Sequence, residues 1–457
     1  SPTSSSTRDA PAPQAAARAS PELSEVATEL TDDGPCRRCG SQADTCLVGE
    51  MQVTQKAESV VSKGGEVFLK CLAAFAILSL AASSLVAAAE RYEANWASLD
   101  RRPIPKWFDE ARVGVFVCWG PVSLKGVEIG WGRGKARPDQ KQGGRGSVPA
   151  AVYDALYKEW NPTAFNAREW VQVFKDSGAC YLIFLIKHHD GFCLWDTKLT
   201  DYRITSPLSP FRRDVGAAIA AACREAGLPL FWYYSQPDWH HPDYRTAAHA
   251  RYVQYLHGQV RELCASYGPL AGIWFDGLGG TAQDWDAPTL FRLIREAQPA
   301  ALINNRCGLA GDFDTPEQVI GRFQTHRPWE SCITLGTQWA WKPGDRIKPL
   351  KECVDILVRC AGGDGNLALN TNPMPDGRIE PRQVERLHEI GQWLAKHGES
   401  IYGTRGGPFR PGPGAPPPAR GTLCSSTSWR GRGTRSSCPP SRGRFWPAAS
   451  SPAARPA

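Results

Sequence analysis

The sequence predicts an α/β fold of the (β/α)8 TIM-barrel type, and three observations carry that expectation. Apolar, β-favouring runs alternate with amphipathic helical stretches between residues 107 and 396. The runs are hydrophobic almost throughout, as strands of a parallel sheet covered on both faces must be. No dinucleotide glycine fingerprint accompanies them, so a doubly wound sheet is the poorer match.

Taken in order, residues 1–66 are rich in Ser, Ala, Pro and charge and read as a disordered leader. Residues 67–89 bring a lysine, an apolar run and an Ala-rich end. This is the pattern of a secretory signal peptide cleaved after Ala89, and it implies a secreted or periplasmic protein. The run is marginal for crossing a bilayer, so no stable membrane partner is expected. The barrel is expected over 90–405. Its first strand, 113–119, closes at Gly120 and Pro121, and a Gly- and charge-rich loop fills 122–150. Asn166 then caps a helix in which Ala167, Trp170, Val171 and Phe174 recur at helical spacing. Strands at 181–186, 228–234, 271–276, 301–305 and 366–370 alternate with helices at 214–226, 244–267, 287–297, 350–360 and 381–396. Pro381 and Gly398 stand where helix ends favour them. Six strands are clear, and the loop-rich stretch 306–348 must hold the others. Residues 406–457 turn to Pro, Arg, Ser and Gly without periodicity and read as a disordered tail.

Composition narrows the function. Of 457 residues 42% are hydrophobic and 17 are Trp. Core packing claims most of these rings, but so many also suit a site that stacks on sugar faces. The net charge of +7 does not indicate nucleic-acid binding, because tail arginines supply much of it and the central region mixes both signs. The 15 cysteines are odd in number and mostly sit singly in apolar or helical runs, as small buried hydrophobes do. Cys36, Cys39 and Cys46 lack a second pair and a nearby His, so no metal is expected there.

The chain is organised around Ile273-Trp274-Phe275, a buried strand that ends on Asp276 before Gly277. A carboxylate at the tip of an apolar strand must be hydrogen-bonded or used. In a barrel that tip faces the catalytic mouth; otherwise the Asp caps the next turn. Other polar groups collect after strand ends: Cys118 and Trp119; His188, His189 and Asp190; Tyr233, Tyr234 and Ser235; Asn304, Asn305 and Arg306. Neither a phosphate-cradling loop nor a nucleophile elbow is present. A carboxylate among His, Arg and Trp suits glycoside hydrolysis, in which a second, protonated carboxyl serves the leaving oxygen. Glu317 and Glu330 are candidates for that acid, with Glu128 behind them. Burial beside Trp329 would raise the Glu330 pKa. His188 and His189 admit a reading as metal ligands. Neighbours on a strand point to opposite faces, however, so sugar binding by one and core satisfaction of the other fits better. No metal and no cofactor are expected.

These stretches resemble the α-L-fucosidases, glycoside hydrolase family 29. The similar motifs are Trp107-Phe108-Asp109-Glu110-Ala111-Arg112, Lys187-His188-His189-Asp190-Gly191-Phe192, Tyr233-Tyr234-Ser235 with Pro237-Asp238-Trp239, and Trp274-Phe275-Asp276-Gly277. Asn304-Asn305-Arg306, Gly365-Asn366-Leu367-Ala368-Leu369-Asn370 and Pro375-Asp376-Gly377-Arg378 extend the likeness, which runs from about residue 92 to 409. The resemblance implies a metal-free, retaining exo-hydrolase that removes terminal α-linked fucose, with a fucosylated glycan as its partner. It implies Asp276 as nucleophile and Glu317, ahead of Glu330, as acid/base. His188, His189, Tyr234 and Arg306 fall where the family holds the sugar, with Trp119, Trp131 and Glu128 as further contacts. Two features depart from the family. Cys118-Trp119-Gly120 stands where His-Trp-Gly is usual, and a thiol is a weak hydrogen-bonding group. The C-terminal β-sandwich common in the family is expected to be absent or truncated. The alternative reading is therefore a catalytically weak carbohydrate-binding relative, which the intact Asp276 opposes.

Overall fold

The computed structural model describes Ser98 and residues 103–136 and 143–406. The expected leader, the signal-peptide-like segment and the tail from residue 407 lie outside the described residues.

Seven parallel strands form one sheet: β1 (Val113–Val117), β2 (Leu182–Lys187), β3 (Leu230–Ser235), β4 (Gly272–Asp276), β5 (Leu302–Ile303), β6 (Glu330–Thr334) and β7 (Asn366–Thr371). Their order is β5-β4-β3-β2-β1-β7-β6. The first strand pairs with the last, Val113 opposite Leu367 and Val117 opposite Thr371, so the sheet curls on itself. An irregular segment spans the gap between β5 and β6. Phe313 bridges Asn304, Asp314 bridges Trp329 and Glu317 bridges Cys332, all in the parallel sense. Glu330 N–H donates to the Asp314 carbonyl at 2.8 Å, and Gln318 N–H to the Cys332 carbonyl at 2.9 Å. Residues 312–318 thus take the eighth position of a (β/α)8-like ring. The stretch 306–348 therefore holds β6 and this bridging segment. The segment has no apolar run to betray it, because Asp312, Asp314, Thr315, Pro316 and Glu317 crowd it.

The α-helices among the described residues include α1 (Lys106–Ala111), α2 (Ala150–Ala155), α3 (Ala167–Asp176), α4 (Val215–Ala226), α5 (His249–Ser266), α6 (Ala282–Trp285), α7 (Ala287–Ala297), α8 (Leu350–Gly362) and α9 (Pro381–His397). Asn166 caps α3 by accepting from the Arg168 and Glu169 N–H groups. Asp214 caps α4 through the Ala217 N–H at 2.8 Å. The helix expected over 244–267 starts later, at His249. Thr246 Oγ1 donates to the Asp243 carbonyl and accepts from the Ala248 N–H, and such local bonds compete with helix formation.

The pleat sorts side chains into two layers. Val115, Val117, Phe184, Ile186, Trp232, Tyr234, Ile273 and Phe275 face the helices. Phe116, Ile183, Leu185, Phe231, Tyr233 and Trp274 fill the barrel. Burial of each such side chain contributes ~1.5–3 kcal/mol. Below, α1 plugs the strand N-termini, with the Phe108 ring 4.9 Å from Phe313, 5.6 Å from Tyr181 and 5.9 Å from Phe231. The C-terminal mouth is left as the open end.

Candidate active site

A cavity occupies that mouth. Strand tips build its wall: Phe116 and Cys118 from β1, His188 and His189 from β2, Tyr233 from β3, Trp274 and Asp276 from β4, Arg306 from β5 and Cys332 from β6. Glu317 enters from the bridging segment, and Trp131, Leu278 and Trp339 from loops.

Asp276 is the last residue of β4, and its register opposite Ser235 on β3 points it inward, two places on from Trp274. Tyr233 O–H donates to its Oδ2 at 2.7 Å, and Arg306 Nη1 lies 3.3 Å from its Oδ1. The same Nη1 pairs with Glu317 at 2.7 Å. Laid end to end, the two contacts put carboxylate oxygens within about 6 Å of each other, a limit that includes the roughly 5–5.5 Å of a retaining pair. Glu317 is 41% exposed, so it meets both solvent and an incoming sugar. Arg306 is itself held. Its Nε donates to Thr315 Oγ1 at 2.9 Å, its Nη2 to the Thr315 carbonyl at 2.8 Å, and its guanidinium lies 4.6 Å over the Trp274 ring. Burial opposes its charge, but Asp276 and Glu317 outweigh that and raise its pKa.

His188 and His189 both face the cavity, against the expectation that one would satisfy the core. β2 ends at Lys187, so pleat alternation no longer separates them, and their rings lie 4.0 Å apart. Burial pushes both pKa values down, that of His189 to about 3. The imidazoles are neutral, and the 3.6 Å approach of His189 Nε2 to Asp276 Oδ2 is no ion pair. Gly130 packs on His188 with φ +63°, and a Cβ there would fall 2.5 Å from His188 Nδ1. Trp131 follows at the rim, 42% exposed and edge-on to His189 and Trp239. His188, His189 and Asp276 bring ligand atoms within 4.8 Å of one another. A cation there would meet the Arg306 charge, and both Asp276 oxygens are already engaged. Cys118 lines the wall, and burial raises its pKa, so it presents a neutral thiol.

Four expected residues stand elsewhere. Trp119 points outward, against Trp160, Phe165 and Trp170, and donates to the Met374 carbonyl at 3.0 Å. Tyr234 also faces the helices, its O–H donating to Gln259 Oε1 on α5 at 2.7 Å, and Tyr233 takes the inward place. Glu330 begins β6 deep in the barrel, accepting from Trp274 Nε1 at 3.0 Å and from the Tyr181 O–H. Burial does raise its pKa, to about 7, but it does not line the cavity and is no candidate acid. Glu128 accepts from the Ile129, Trp339 and Ala340 N–H groups at 2.8–3.0 Å. It clamps two mouth loops together and does not line the cavity. Sequence reasoning missed Trp274, Cys332 and Trp339 as wall residues and chose the wrong tyrosine. Counting back by two from Asp276 finds Trp274; for Trp339, which sits in a loop, no sequence signal exists.

A parallel barrel whose mouth joins an aspartate and a glutamate through one arginine, among histidines and aromatic rings, defines the class of glycoside hydrolases. Within that class the chain belongs to the alpha-L-fucosidase family, whose model matches residues 79–399. It is 30% identical over 346 residues to the human plasma alpha-L-fucosidase, across 69% of this chain and 73% of that protein. Alpha-L-fucosidase isoenzyme 1 from Paenibacillus thiaminolyticus superposes with a TM-score of 0.61 at 33% identity, over 68% of this chain and 79% of that one. A family 29 alpha-L-fucosidase from Bacteroides thetaiotaomicron, a trapped covalent intermediate in complex with 2-fluoro-fucosyl fluoride, superposes at 0.61 with 27% identity, over 68% and 78%.

Proposed function

We propose that this chain is a retaining, exo-acting α-L-fucosidase that hydrolyses terminal α-linked fucose from fucosylated glycans. The shared Arg306 nitrogen carries the reading, because it holds carboxylate oxygens of Asp276 and Glu317 within about 6 Å of each other, a limit that admits double displacement. Asp276 is the nucleophile. Its oxygen attacks the anomeric carbon as the glycosidic bond breaks, and Glu317 gives its proton to the leaving oxygen. Water then loses a proton to Glu317 and attacks the same carbon. Asp276 departs, and fucose leaves with its starting configuration. The trapped covalent intermediate of the Bacteroides relative supports two steps over one. His188, His189 and Arg306 meet sugar hydroxyls, and Trp131 offers a ring face at the rim. The cavity sits over a barrel filled with side chains, so a glycan enters by its end, which favours exo action.

The test is release of the chromophore from an aryl α-L-fucoside by the chain from Glu90 onward, beside Asp276→Ala. Turnover is expected in the first alone, with α-fucose as the first anomer seen by NMR. Equal turnover in both would overturn the assignment. We also propose that residues 67–89 direct export. A native mature protein beginning at Glu90 is then expected on N-terminal sequencing.

A further inference from the structure

Ser235 ends β3 fully buried, and its hydrogen bonds dictate the chemistry of His189. Ser235 Oγ lies 2.6 Å from the Pro237 carbonyl oxygen and 2.6 Å from His189 Nδ1. A carbonyl oxygen can only accept, so the single hydroxyl proton of Ser235 goes to Pro237. The Ser235 oxygen is then an acceptor, and His189 Nδ1 must carry the hydrogen. A neutral imidazole has one N–H, so Nε2 is a bare lone pair. That lone pair stands 3.6 Å from Asp276 Oδ2 at the cavity wall. The other tautomer would set the Nδ1 lone pair against the Ser235 oxygen and aim an N–H at the nucleophile.

We propose that Ser235 is a positioning residue that locks His189 in its Nδ1–H tautomer, so that the cavity meets the substrate with two acceptors, His189 Nε2 and Asp276 Oδ2. The lock has two consequences. Asp276 Oδ2 takes no hydrogen bond from His189 and keeps a lone pair for attack. The substrate must supply a hydroxyl donor close to the reacting carbon, because a sugar that displaces water without one leaves the His189 Nε2 acceptor unsatisfied, while Asp276 Oδ2 already accepts from Tyr233. The sugar is thus selected by a donor. The tautomer stands on the Ser235 hydrogen bonds and the neutrality of the buried ring; its link to turnover rests on the fucosidase reading.

Nitrogen-15 spectra of the full chain, labelled at histidine, read the tautomer without substrate. His189 is assigned by the signals lost in His189→Asn. The expected result at pH 7 is a pyrrole-like Nδ1 and a pyridine-like Nε2; the reverse pattern overturns the proposal whether or not any variant folds. Ser235→Ala is expected to release the tautomer toward Nε2–H and to lower kcat on an aryl α-L-fucoside by about tenfold or more, with circular dichroism unchanged. Ser235→Thr, which keeps the hydroxyl, is expected to restore both signals. Activity lost in Ser235→Ala while Nδ1–H persists would make Ser235 merely structural and overturn the proposal. A wild-type chain with the expected spectrum but no turnover would instead sink the fucosidase reading and leave the tautomer standing.

Discussion

Tyr233 and Tyr234 make hydrogen bonds of the same length, 2.7 Å, from opposite faces of one strand: Tyr233 to the carboxylate of Asp276, Tyr234 to the amide oxygen of Gln259. Their phenylalanine variants are expected to separate function from stability. Tyr233→Phe removes a bond to a charged group, worth about 1.5–3 kcal/mol, and lowers kcat/KM by roughly ten- to a hundredfold at nearly unchanged melting temperature. Tyr234→Phe leaves activity within about threefold but destabilises the fold by about 1–3 kcal/mol, read as a lower melting temperature. Equal kinetic losses in the two would contradict the facing of the strand.

The same strand shows how far the sequence can be read. Apolar runs announce where strands lie, and the Asp276 carboxylate announces the mouth, because a charge is seldom tolerated at an apolar tip without a use. Which of two neighbours points inward depends on register, and Ser235 opposite Asp276 is a pairing across 41 residues of chain that no local pattern encodes. Register hides the facing of Trp119 too, which is of one parity with Val117 and, like it, faces the helices. The histidines show the opposite limit: pleat alternation stops with β2 at Lys187 and does not govern His188 and His189. Glu330 drew attention through its neighbour Trp329, whereas the tryptophan that binds it, Trp274, lies 56 positions away.

Glu317 and Glu330 are distinguished by leaving group. If Glu317 donates the proton, Glu317→Gln is expected to lose about 10²–10⁴-fold on a natural fucosylated oligosaccharide, whose leaving oxygen needs protonation. An activated aryl fucoside is expected to give a burst, since the first step no longer needs the acid while the second lacks its base. Azide, which needs no base, should restore turnover. Glu330→Gln is expected to stay within a few-fold of wild type on both substrates, because its carboxyl is held by Tyr181 and Trp274 outside the cavity wall.

Gly130 fixes the His188 side of the pocket. A methyl added there meets His188 Nδ1 at 2.5 Å and forces an L-residue to φ +63°, a conformation that costs about 1–2 kcal/mol. Gly130→Ala is expected to displace the imidazole, raise KM on an aryl α-L-fucoside by about tenfold and lower the melting temperature slightly. Wild-type kinetics in this variant would show that His188 does not need its present position.

Glu330 also makes stability depend on pH. Its folded pKa is about 7, against about 4.3 for an unperturbed glutamate, so the folded chain holds this proton more tightly than the unfolded one. The stabilisation from that proton is full below about pH 4 and is lost as pH rises through 7. At about 1.4 kcal/mol per pKa unit the swing is on the order of 4 kcal/mol. Glu330→Gln removes the titration while its amide can still accept from Trp274 and donate to the Tyr181 oxygen. The difference in melting temperature, variant minus wild type, is therefore expected to grow steadily from pH 5 to pH 8. A difference that stays flat over that range would mean that the buried carboxyl is ionised throughout, and that the two donors, Tyr181 and Trp274, offset the cost of burying the charge.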